Sequence, residues 1–381
     1  MTKIIFYAHR VSFISNWIIP LKNYLNAEVI VFHINALHKE NIPECNGIQL
    51  IDISNLSLRK ILLLIKEINP GLYITLGYNS VMELLLSRVF KFLQIKTLYL
   101  EHGLFTKDTI SDQSDLIKAG MKKESIRKNV NFIIKYTGFL LVSKNLLKEA
   151  KIFLNAGLYK DYTQAKYDKA FFFGEYGFKN LNRLFNYSQD EIVYCGYPLF
   201  KSNEEIMNLG SEPLVKNTKD VIYVHQTFIL NNQAYISYED ELKFINNIWA
   251  QLKDSYDQFF LLLHPRENLD KYINLYKSTG IKVIQAPNNY KVFIGKDLVI
   301  GHYSTALLYA LFFKIKTIII NYPNTEIDKL FKDYCLFCEN PNELKPFLSI
   351  KNPENLFLPS QNLLGTENNY EHISSLIYNL L

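Results

Sequence analysis

Apolar runs of strand length alternate with helix-like segments from the first residues onward. In the first half, two segments fit helices: Phe13–Leu25 after Ser12, and Ser80–Leu93 after Asn79. Apolar strands separated by helices are typical of a sheet covered on both faces, so the pattern predicts a parallel α/β sheet. The predicted strands are Lys3–Tyr7, Glu28–His33, Leu72–Leu76, Thr97–Leu100, Phe139–Val142, Ala170–Phe173 and Ile192–Tyr194.

The same alternation returns in the second half, after a polar stretch without periodicity that predicts a linker between two domains. The predicted strands there are Val221–Val224, Phe259–Leu263, Lys282–Ile284, Leu298–Ile300, Thr317–Asn321 and Cys335–Phe337. The expected organisation is a first domain at 1–200, a linker at 201–219, a second domain at 220–365, and a C-terminal helix at 366–381 that crosses back to the first domain.

The composition supports two folded domains. Of 381 residues, 48% are hydrophobic and 21% are charged, which is enough apolar material for two cores. A net charge of +5 favours anionic substrates or a lipid headgroup surface, and Lys118–Lys128 is the densest basic block. Basic and aromatic residues are not interleaved as in nucleic-acid-binding motifs, so we expect no nucleic-acid partner.

The N-terminus reads as a strand and lacks the features of a signal peptide. No apolar run reaches the roughly 20 residues that a membrane-spanning helix needs. We therefore expect a cytoplasmic protein, with peripheral contact to the inner membrane as a further possibility. The four cysteines form no disulfide framework, and the Cys335-x-x-Cys338 pair lacks the second pair that a zinc site needs.

Motifs for metals and for common cofactors are absent from the sequence. It contains no Asp-x-Asp, EF-hand or His-Glu-x-x-His motif, so we expect neither a metal nor a cofactor. It also contains no Gly-x-Gly-x-x-Gly or Walker loop, which disfavours dehydrogenases and ATPases.

Polar clusters follow three predicted strands of the second domain, at the edge where open α/β sheets bind ligands. VIYVHQTF ends in His225, Gln226 and Thr227. FFLLLHPRE places His264 at the rim, followed by Pro265 and Arg266. In DLVIGHYSTALLYAL, the hydroxyls of Ser304 and Thr305 precede a helix and could bind a phosphate, although either residue alone would suit simple N-capping.

Further polar clusters follow strands of the first domain. In LYLEHGLF, Glu101 directly follows a buried strand, and we expect its carboxylate to project into a cleft with a raised pKa, as a general base requires. His102 is the competing base. The loop residues His9, Arg10, Tyr78 and Asn79 are candidates for an acceptor site, although His9 also suits a hydrogen-bonded rim histidine. The polar segment Lys107–Lys128 is predicted to be a long loop or lid.

The order of a Gln turn, HPRE and YSTALLYA resembles the nucleotide-binding half of bacterial CMP-sialic acid sialyltransferases, which include lipooligosaccharide and polysialic acid enzymes. It also resembles the same half of the related Kdo-type capsule transferases. In those families the histidine of the His-Pro pair and the Ser/Thr pair bind CMP, and an acidic residue of an acid-x-Gly motif is the base. Here Glu101 and Gly103 match that motif, while His102 occupies its usually acidic middle position. The motifs are short and spread over about half of the chain.

The resemblance implies a GT-B fold, in which two Rossmann-like domains with parallel sheets face a central cleft. The donor would bind the second domain through Gln226, Thr227, His264, Pro265, Arg266, Ser304 and Thr305, and the acceptor would bind the first. The expected reaction is metal-independent transfer of a sialic acid, related nonulosonate or Kdo from a CMP-activated donor to a lipooligosaccharide, capsule or O-antigen glycan. In this reaction Glu101 would be the base, and His264 would contact the leaving phosphate.

Two alternatives remain open at this stage. Teichoic-acid glycerophosphotransferases also combine an HG turn, an HP pair and a later Ser-Ser turn, so a CDP-glycerol or CDP-ribitol phosphotransferase with His102 as base is the competing enzyme. The other alternative is a non-catalytic subunit for glycan assembly that keeps the fold. The nonulosonate transferase, expected to invert configuration, is the first hypothesis.

Overall fold

The computed structural model describes most of the chain, which folds into two compact units. The first unit comprises the described residues of Met1–Leu104, Gly120–Lys201 and Gln361–Leu381, and the second those of Ser202–Ser360. The described residues are 2–9, 11–34, 45–103, 123–198, 219–229, 237–265, 267–285, 290–302, 304, 306–322, 334–350 and 369–381.

All described strands of the first unit form one parallel sheet. Their order in space is β3-β2-β1-β4-β5-β6-β7, so the chain reverses its direction of winding between β1 and β4. Loops after these two strands diverge at that point, which makes it the usual ligand position in open α/β sheets. The strands are β1 (Lys3–Ala8), β2 (Glu28–His33), β3 (Ile48–Asp52), β4 (Leu72–Thr75), β5 (Lys96–Leu100), β6 (Lys169–Phe172) and β7 (Ile192–Tyr194).

Helices of the first unit connect these strands. The bounds are α1 (Val11–Phe13), α2 (Ile19–Lys22), α3 (Leu58–Ile68), α4 (Val81–Phe92), α5 (Lys123–Val142), α6 (Leu146–Leu154) and α7 (Glu175–Phe185), with π-helical turns at Ile14–Ile18 and Asn155–Tyr159 and a 3-10 turn at Gln189–Glu191. Ser80 begins α4 with a capping box, in which its hydroxyl accepts from the Glu83 N–H and its own N–H donates to the Glu83 carboxylate.

The second unit repeats the same winding with one strand fewer among the described residues. Its sheet has the order β10-β9-β8-β11-β12-β13, and each neighbouring pair is parallel. The reversal falls between β8 and β11. The strands are β8 (Asp220–Val224), β9 (Gln258–Leu262), β10 (Lys282–Ile284), β11 (Leu298–Gly301), β12 (Lys316–Ile320) and β13 (Leu336–Cys338).

The helices of the second unit are α8 (Tyr238–Leu252), α9 (Leu269–Tyr276), α10 (Leu307–Phe312) and α11 (Lys345–Ser349), with a 3-10 turn at Tyr290–Phe293. The last helix, α12 (Tyr370–Tyr378), groups with the first unit. Its Tyr370 hydroxyl donates to the Asn16 carbonyl, and the Tyr370 ring meets the Trp17 ring edge-on at 6.1 Å. The end of the chain therefore packs beside α2.

The cores of both units consist of the continuous apolar strands. Ile4, Ile5 and Phe6 in β1, and Val221 and Ile222 in β8, are inaccessible to solvent. Strands buried on both faces confirm the prediction of parallel α/β sheets, because only helices on both sides of a sheet exclude water in this way. In the described part of the chain, no helix has both the length and the apolar character needed to cross a bilayer.

Two local predictions in the first half differ from the structure. Phe139–Val142 was predicted as a strand, but it is the last turn of α5, where Phe139 packs inward. A short apolar run does not distinguish a strand from one turn of a buried helix. The edge strand β3 was missed because Gln49 and Asp52 interrupt its apolar residues, so that its sequence IQLID is not a continuous apolar run. Of the predicted lid, 123–128 is helical and 107–122 lies outside the described residues, as does most of the predicted linker at 201–219.

The contact between Arg88 and Glu149 gives a stability prediction for the first unit. Arg88 donates from Nε and Nη2 to the two carboxylate oxygens of Glu149 at 2.9 and 2.7 Å, and both side chains are about nine-tenths buried. Arg88→Met should lower the free energy of unfolding by about 3 kcal/mol, because it leaves a buried carboxylate without its cation. Denaturation followed by the fluorescence of Trp17, in a Trp249→Phe background, measures this change.

The matched control is Lys179→Ala, which removes the exposed ion pair between Lys179 and Glu175 on α7. Exposed pairs of this kind contribute at most about 0.5 kcal/mol, so this variant should unfold like the parent. Equal, small effects of both substitutions would contradict the prediction.

Candidate functional site

His9 and Glu83 meet at the point where the first sheet reverses its winding. His9 follows β1, and Glu83 lies in the first turn of α4, which follows β4. Nδ1 of His9 is 3.3 Å from Oε1 of Glu83, and the His9 side chain is 25% exposed whereas that of Glu83 is fully buried. The imidazole therefore has one nitrogen directed at a buried carboxylate and part of its ring open to solvent.

The Glu83 carboxylate is held by more than His9. Its Oε2 accepts from the Ser80 N–H at 2.9 Å, and a Cβ added to Gly77 would lie 2.0 Å from Oε1. Burial alone raises the pKa of the Glu83 carboxyl, but the nearby His9 and the hydrogen bonds from Ser80 outweigh it, so that the pKa lies below its ordinary value. Glu83 is thus a buried ionised group.

His102 approaches the same region from the end of β5. The Phe13 ring contacts both imidazoles, with centroids 4.9 Å from His9 and 4.6 Å from His102. His102 is partly exposed. The ends of β1, β4 and β5, which are neighbours in the sheet, therefore bring two histidines and one ionised carboxylate to a single edge.

Glu101 is oriented differently from the expectation. Its side chain is inaccessible to solvent and lies beneath the start of α7, where Oε2 accepts from the Phe173 N–H at 2.7 Å. A Cβ added to Gly177 would lie 2.3 Å from its Oε1. Burial raises the pKa of Glu101 to about 8, against the opposing effect of the Phe173 hydrogen bond. The expected rise in pKa is therefore confirmed, but the carboxyl points into the core.

Of the remaining predicted acceptor residues, Tyr78 belongs to the core. Tyr78 is buried, with its ring edge-on to those of Tyr99 and Phe185 at 6.1 and 5.4 Å. We therefore assign Tyr78 to the core and leave it out of the candidate site. Asn79 is exposed on the loop before α4, and Arg10 lies outside the described residues.

In the second unit, His225 belongs to a buried polar cluster behind the end of β8. Its Nε2 is 2.9 Å from Oε1 of Glu241 in α8, and Oε2 of Glu241 accepts from the Tyr272 hydroxyl at 2.7 Å. All three side chains are at most 2% exposed. Burial, followed by the negative charge of Glu241, raises the pKa of Tyr272 far above its ordinary value, so it remains a donor.

His302 follows β11 and is completely buried. Its Nδ1 is 3.2 Å from the Ile320 carbonyl, and its Nε2 is 2.6 Å from the Tyr223 hydroxyl. Burial lowers the pKa of His302 to about 3, so the ring is neutral at physiological pH. Nδ1–H then donates to Ile320, and Nε2 accepts from Tyr223. This histidine is part of the core and does not provide a cation for a ligand.

The predicted donor residues lie at the ends of three neighbouring strands, β9, β8 and β11. His264 and Gln226 are partly exposed, Thr227 is buried, and Pro265 is exposed. Oγ of Ser304 accepts from the Ala306 N–H at 3.2 Å, a turn contact just before α10, and Ala306 rather than Ser304 is the N-cap residue of that helix. Arg266 and Thr305 lie outside the described residues.

Cysteines and acidic residues form no further site in the described part of the chain. No group of three or more His, Cys, Asp or Glu side chains there could hold a metal ion. All four cysteines are free thiols, and burial raises the pKa of Cys335 and Cys338 above the ordinary value for a thiol.

Sequence reasoning missed Glu83, Glu241 and His302. Glu83 did carry a signal, since Ser80 and Glu83 have the spacing of a capping box, but that motif predicts a helix start and says nothing about His9. Glu241 lies in the first turn of α8, where acidic residues are ordinary. His302 stands beside Ser304 in the GHYST motif, yet its burial depends on the neighbouring strand.

Comparison with solved structures finds similar folds at low sequence identity. The UDP-GlcNAc 2-epimerase of Methanocaldococcus jannaschii has a TM-score of 0.57 at 14% identity, with complete coverage of both chains. The wall teichoic acid polymerase TagF has a TM-score of 0.55 at 13% identity, covering 99% of this chain and 88% of its own. The UDP-GlcNAc 2-epimerase from Neisseria meningitidis has a TM-score of 0.52 at 13% identity, covering 100% of this chain and 99% of its own.

No protein-family model matches the chain, and no curated protein matches it. Identities of 13 to 14% indicate a shared fold and do not transfer an activity. The two parallel sheets and these neighbours together confirm the predicted fold class, in which two Rossmann-like domains form a GT-B fold.

The protonation of Glu101 gives a pH prediction. The unfolded chain releases this proton near the ordinary pKa of 4.5, whereas the folded protein keeps it up to a pKa of about 8. Stability should therefore be lost as the pH rises through this window, by roughly 5 kcal/mol in all, of which about 3 kcal/mol falls between pH 5.5 and 8.5. Glu101→Gln lacks this loss, so its stability relative to the parent should increase between pH 5.5 and 8.5, as measured by denaturation at several pH values.

Asp161→Asn is the control, because hydrogen bonds from Thr163 lower the pKa of Asp161 and this carboxylate is ionised throughout the same window. Its stability relative to the parent should stay nearly constant from pH 5.5 to 8.5. A constant difference for Glu101→Gln as well would show that Glu101 is ionised in the folded protein.

Proposed function

We propose that this protein is a metal-independent transferase that moves a group from a cytidine-activated donor to a hydroxyl of a surface glycan or surface polymer. The observation that carries the proposal is the pairing of His9 with the buried, ionised Glu83 at the sheet edge where α/β folds bind ligands. Transfer to a hydroxyl needs a base at that hydroxyl, and a histidine oriented by a carboxylate suits this role.

The geometry assigns different tasks to the two residues. Glu83 approaches Nδ1 of His9, which leaves Nε2 to take the proton of an acceptor hydroxyl. The carboxylate fixes the tautomer of the imidazole and stabilises the imidazolium that forms when the proton is taken up, as in other carboxylate–histidine pairs. His102, whose ring also contacts Phe13, is the second candidate for the base.

Glu101, the base expected from the sialyltransferase resemblance, is less suitable in this structure. A carboxyl with a pKa of about 8 is mostly protonated at neutral pH, and its side chain has no exposed surface. Gly177 of α7 lies directly against this carboxyl, so a hydroxyl acceptor could reach it only after α7 moved away from Glu101. This burial favours a histidine as base.

The choice of base also bears on the donor. A histidine base favours the polyol-phosphate alternative, in which a CDP-glycerol or CDP-ribitol donor gives up its polyol phosphate. It disfavours the other hypothesis, in which a nonulosonate or Kdo is transferred from CMP with Glu101 as base. The likeness to the wall teichoic acid polymerase TagF, which has also been soaked with CDPG, supports the same order. Nonulosonate transfer remains the second candidate, supported by the HPRE and YST motifs.

On the second unit, we propose that His264, Gln226 and Ser304 contact the donor nucleotide. They follow three adjacent strands, and their side chains are partly exposed, unlike the deeply buried His225 and His302 behind them. Arg266 and Thr305 complete this proposed donor set on the strength of the motifs. The proposed setting is the cytoplasmic face of the inner membrane.

Substitution of the candidate bases tests the mechanism. His9→Ala should lower the turnover of donor and acceptor by about 100- to 10,000-fold, because it removes the general base. Glu83→Gln should lower it by about 10- to 100-fold, because the amide keeps the capping contacts but no longer stabilises the imidazolium. Turnover is measured by release of CMP from each of the donors CDP-glycerol, CDP-ribitol, CMP-sialic acid and CMP-Kdo. Release of UDP from UDP-GlcNAc is measured alongside as a further substrate.

The matched control for this series is Glu101→Gln, which should keep turnover within about tenfold of the parent if Glu101 is a structural residue. An inactive Glu101→Gln together with an active His9→Ala and His102→Ala would overturn the histidine mechanism and restore nonulosonate transfer. An inactive His102→Ala with an active His9→Ala would move the role of base to His102.

Nucleotide selectivity is tested without an acceptor. At 100 times the dissociation constant a ligand adds about 2.7 kcal/mol, so CMP or CDP should raise the melting temperature of the second unit by about 5 to 11 °C, and UDP should raise it less. The measurement is made in EDTA, since the proposal includes no metal ion. Equal shifts with UDP, or a shift that requires Mg²⁺, would contradict the donor assignment.

A further inference from the structure

Large apolar side chains are concentrated on the outward side of α5, α6 and the π-helical turn Asn155–Tyr159. Ten of the eighteen exposed large hydrophobic residues in the described chain lie between Val130 and Tyr159. We call these ten residues the apolar face: Val130, Ile133, Ile134, Leu141, Val142, Leu146, Leu147, Leu154, Leu158 and Tyr159. The most exposed are Leu147 at 80%, Leu141 at 75% and Tyr159 at 74%.

The two helices form a hairpin whose opposite side already supplies the core. Phe132, Tyr136 and Phe139 of α5 are buried, and the Tyr136 ring lies 4.5 Å from that of Phe153 in α6. A helix of a water-soluble surface normally pairs one apolar side with one polar side. Here both sides of the hairpin are apolar, so the outward side is not explained by the packing of this domain.

The spacing of the residues places apolar and basic side chains together. Leu147, Leu154 and Leu158 follow one another at intervals of seven and four residues, which keeps them on one side of α6 and the turn after it. The exposed Lys151 falls on the same stripe, and Lys148 is next to Leu147. A third exposed lysine, Lys144, lies in the loop between the two helices.

No exposed carboxylate balances these lysines between Val130 and Lys160. The only acidic residue of this stretch is Glu149, which is buried and bound by both donors of Arg88. Asp161, the next acidic residue along the chain, is close enough to Lys151 to interact with its charge. Three lysines against this one carboxylate still leave the apolar face with a net positive charge, which attracts an anionic partner.

We propose that the apolar face, with Lys144, Lys148 and Lys151, docks this protein on the surface of an anionic lipid bilayer. Leucines and a tyrosine at the interface with lysines beside them are the composition of helices that lie in the headgroup region without spanning the membrane. The lysines add attraction to anionic headgroups. A second copy of the chain is a poorer occupant, because a two-fold contact would bring the lysines of both copies together.

Vesicle sedimentation tests this proposal independently of the proposed function, because it needs neither donor nor acceptor. The full chain should sediment with vesicles of phosphatidylglycerol and phosphatidylcholine and much less with phosphatidylcholine alone, and added salt should weaken the binding. The double variant Leu147→Glu/Leu158→Glu should lower the partition coefficient by about tenfold or more. Replacing the three lysines by glutamine should lower it by about fivefold per lysine.

Ile273→Glu is the matched control, since Ile273 is an exposed apolar residue of α9 in the second unit and belongs to no part of the apolar face. It should bind vesicles like the parent, and all variants should keep the melting temperature of the parent. Vesicle binding by Leu147→Glu/Leu158→Glu at the level of the parent, or no binding by the parent, would overturn the proposal. The proposal would also be overturned if the parent bound no vesicles but formed a dimer in sedimentation velocity, and if the same double variant abolished that dimer.

Discussion

The first sheet edge depends on a buried negative charge. Removing a carboxylate from water is costly unless its oxygens are paired, and Glu83 is completely inaccessible to solvent. Its Oε2 accepts from the Ser80 N–H at the start of its own helix, and its Oε1 lies 3.3 Å from Nδ1 of His9. The absence of a side chain at Gly77 provides the space that the carboxylate occupies. The loop after β4, the cap of α4 and the imidazole after β1 are therefore fixed by one ionised group.

Glu101 shows how equally deep burial affects a carboxyl group that has no cation beside it. It is as deeply buried as Glu83 and follows the adjacent strand, but its carboxyl accepts its hydrogen bond from a backbone N–H, that of Phe173. Burial then dominates, and the pKa rises instead of falling. Two carboxyl groups near one sheet edge thus take opposite protonation states, and the one with the histidine keeps its charge. A base at this edge is more readily built from the ionised pair than from the neutral acid.

Much of this fold could be predicted because most strands are buried on both faces and read as continuous apolar runs, as in Glu28–His33, whose bounds were predicted without error. Their ends mark the sheet edge, so His9, His102 and His264 could be named from the sequence. Orientation could not be predicted in the same way. Whether Tyr78 or Glu101 turns toward the core depends on α7 and on aromatic residues distant in the sequence.

The two units use the same winding with different electrostatics. Behind the second sheet edge, His302 is neutral. Burial destabilises the charged form of its ring by more than hydrogen bonding could stabilise that form. Tyr272 and Glu241 likewise fix His225 from within the core. An anionic ligand at that edge would therefore meet hydrogen-bond donors on partly exposed side chains such as Gln226 rather than a buried histidine cation. The first edge holds a fixed negative charge beside its histidine, which suits removal of a proton better than retention of a phosphate.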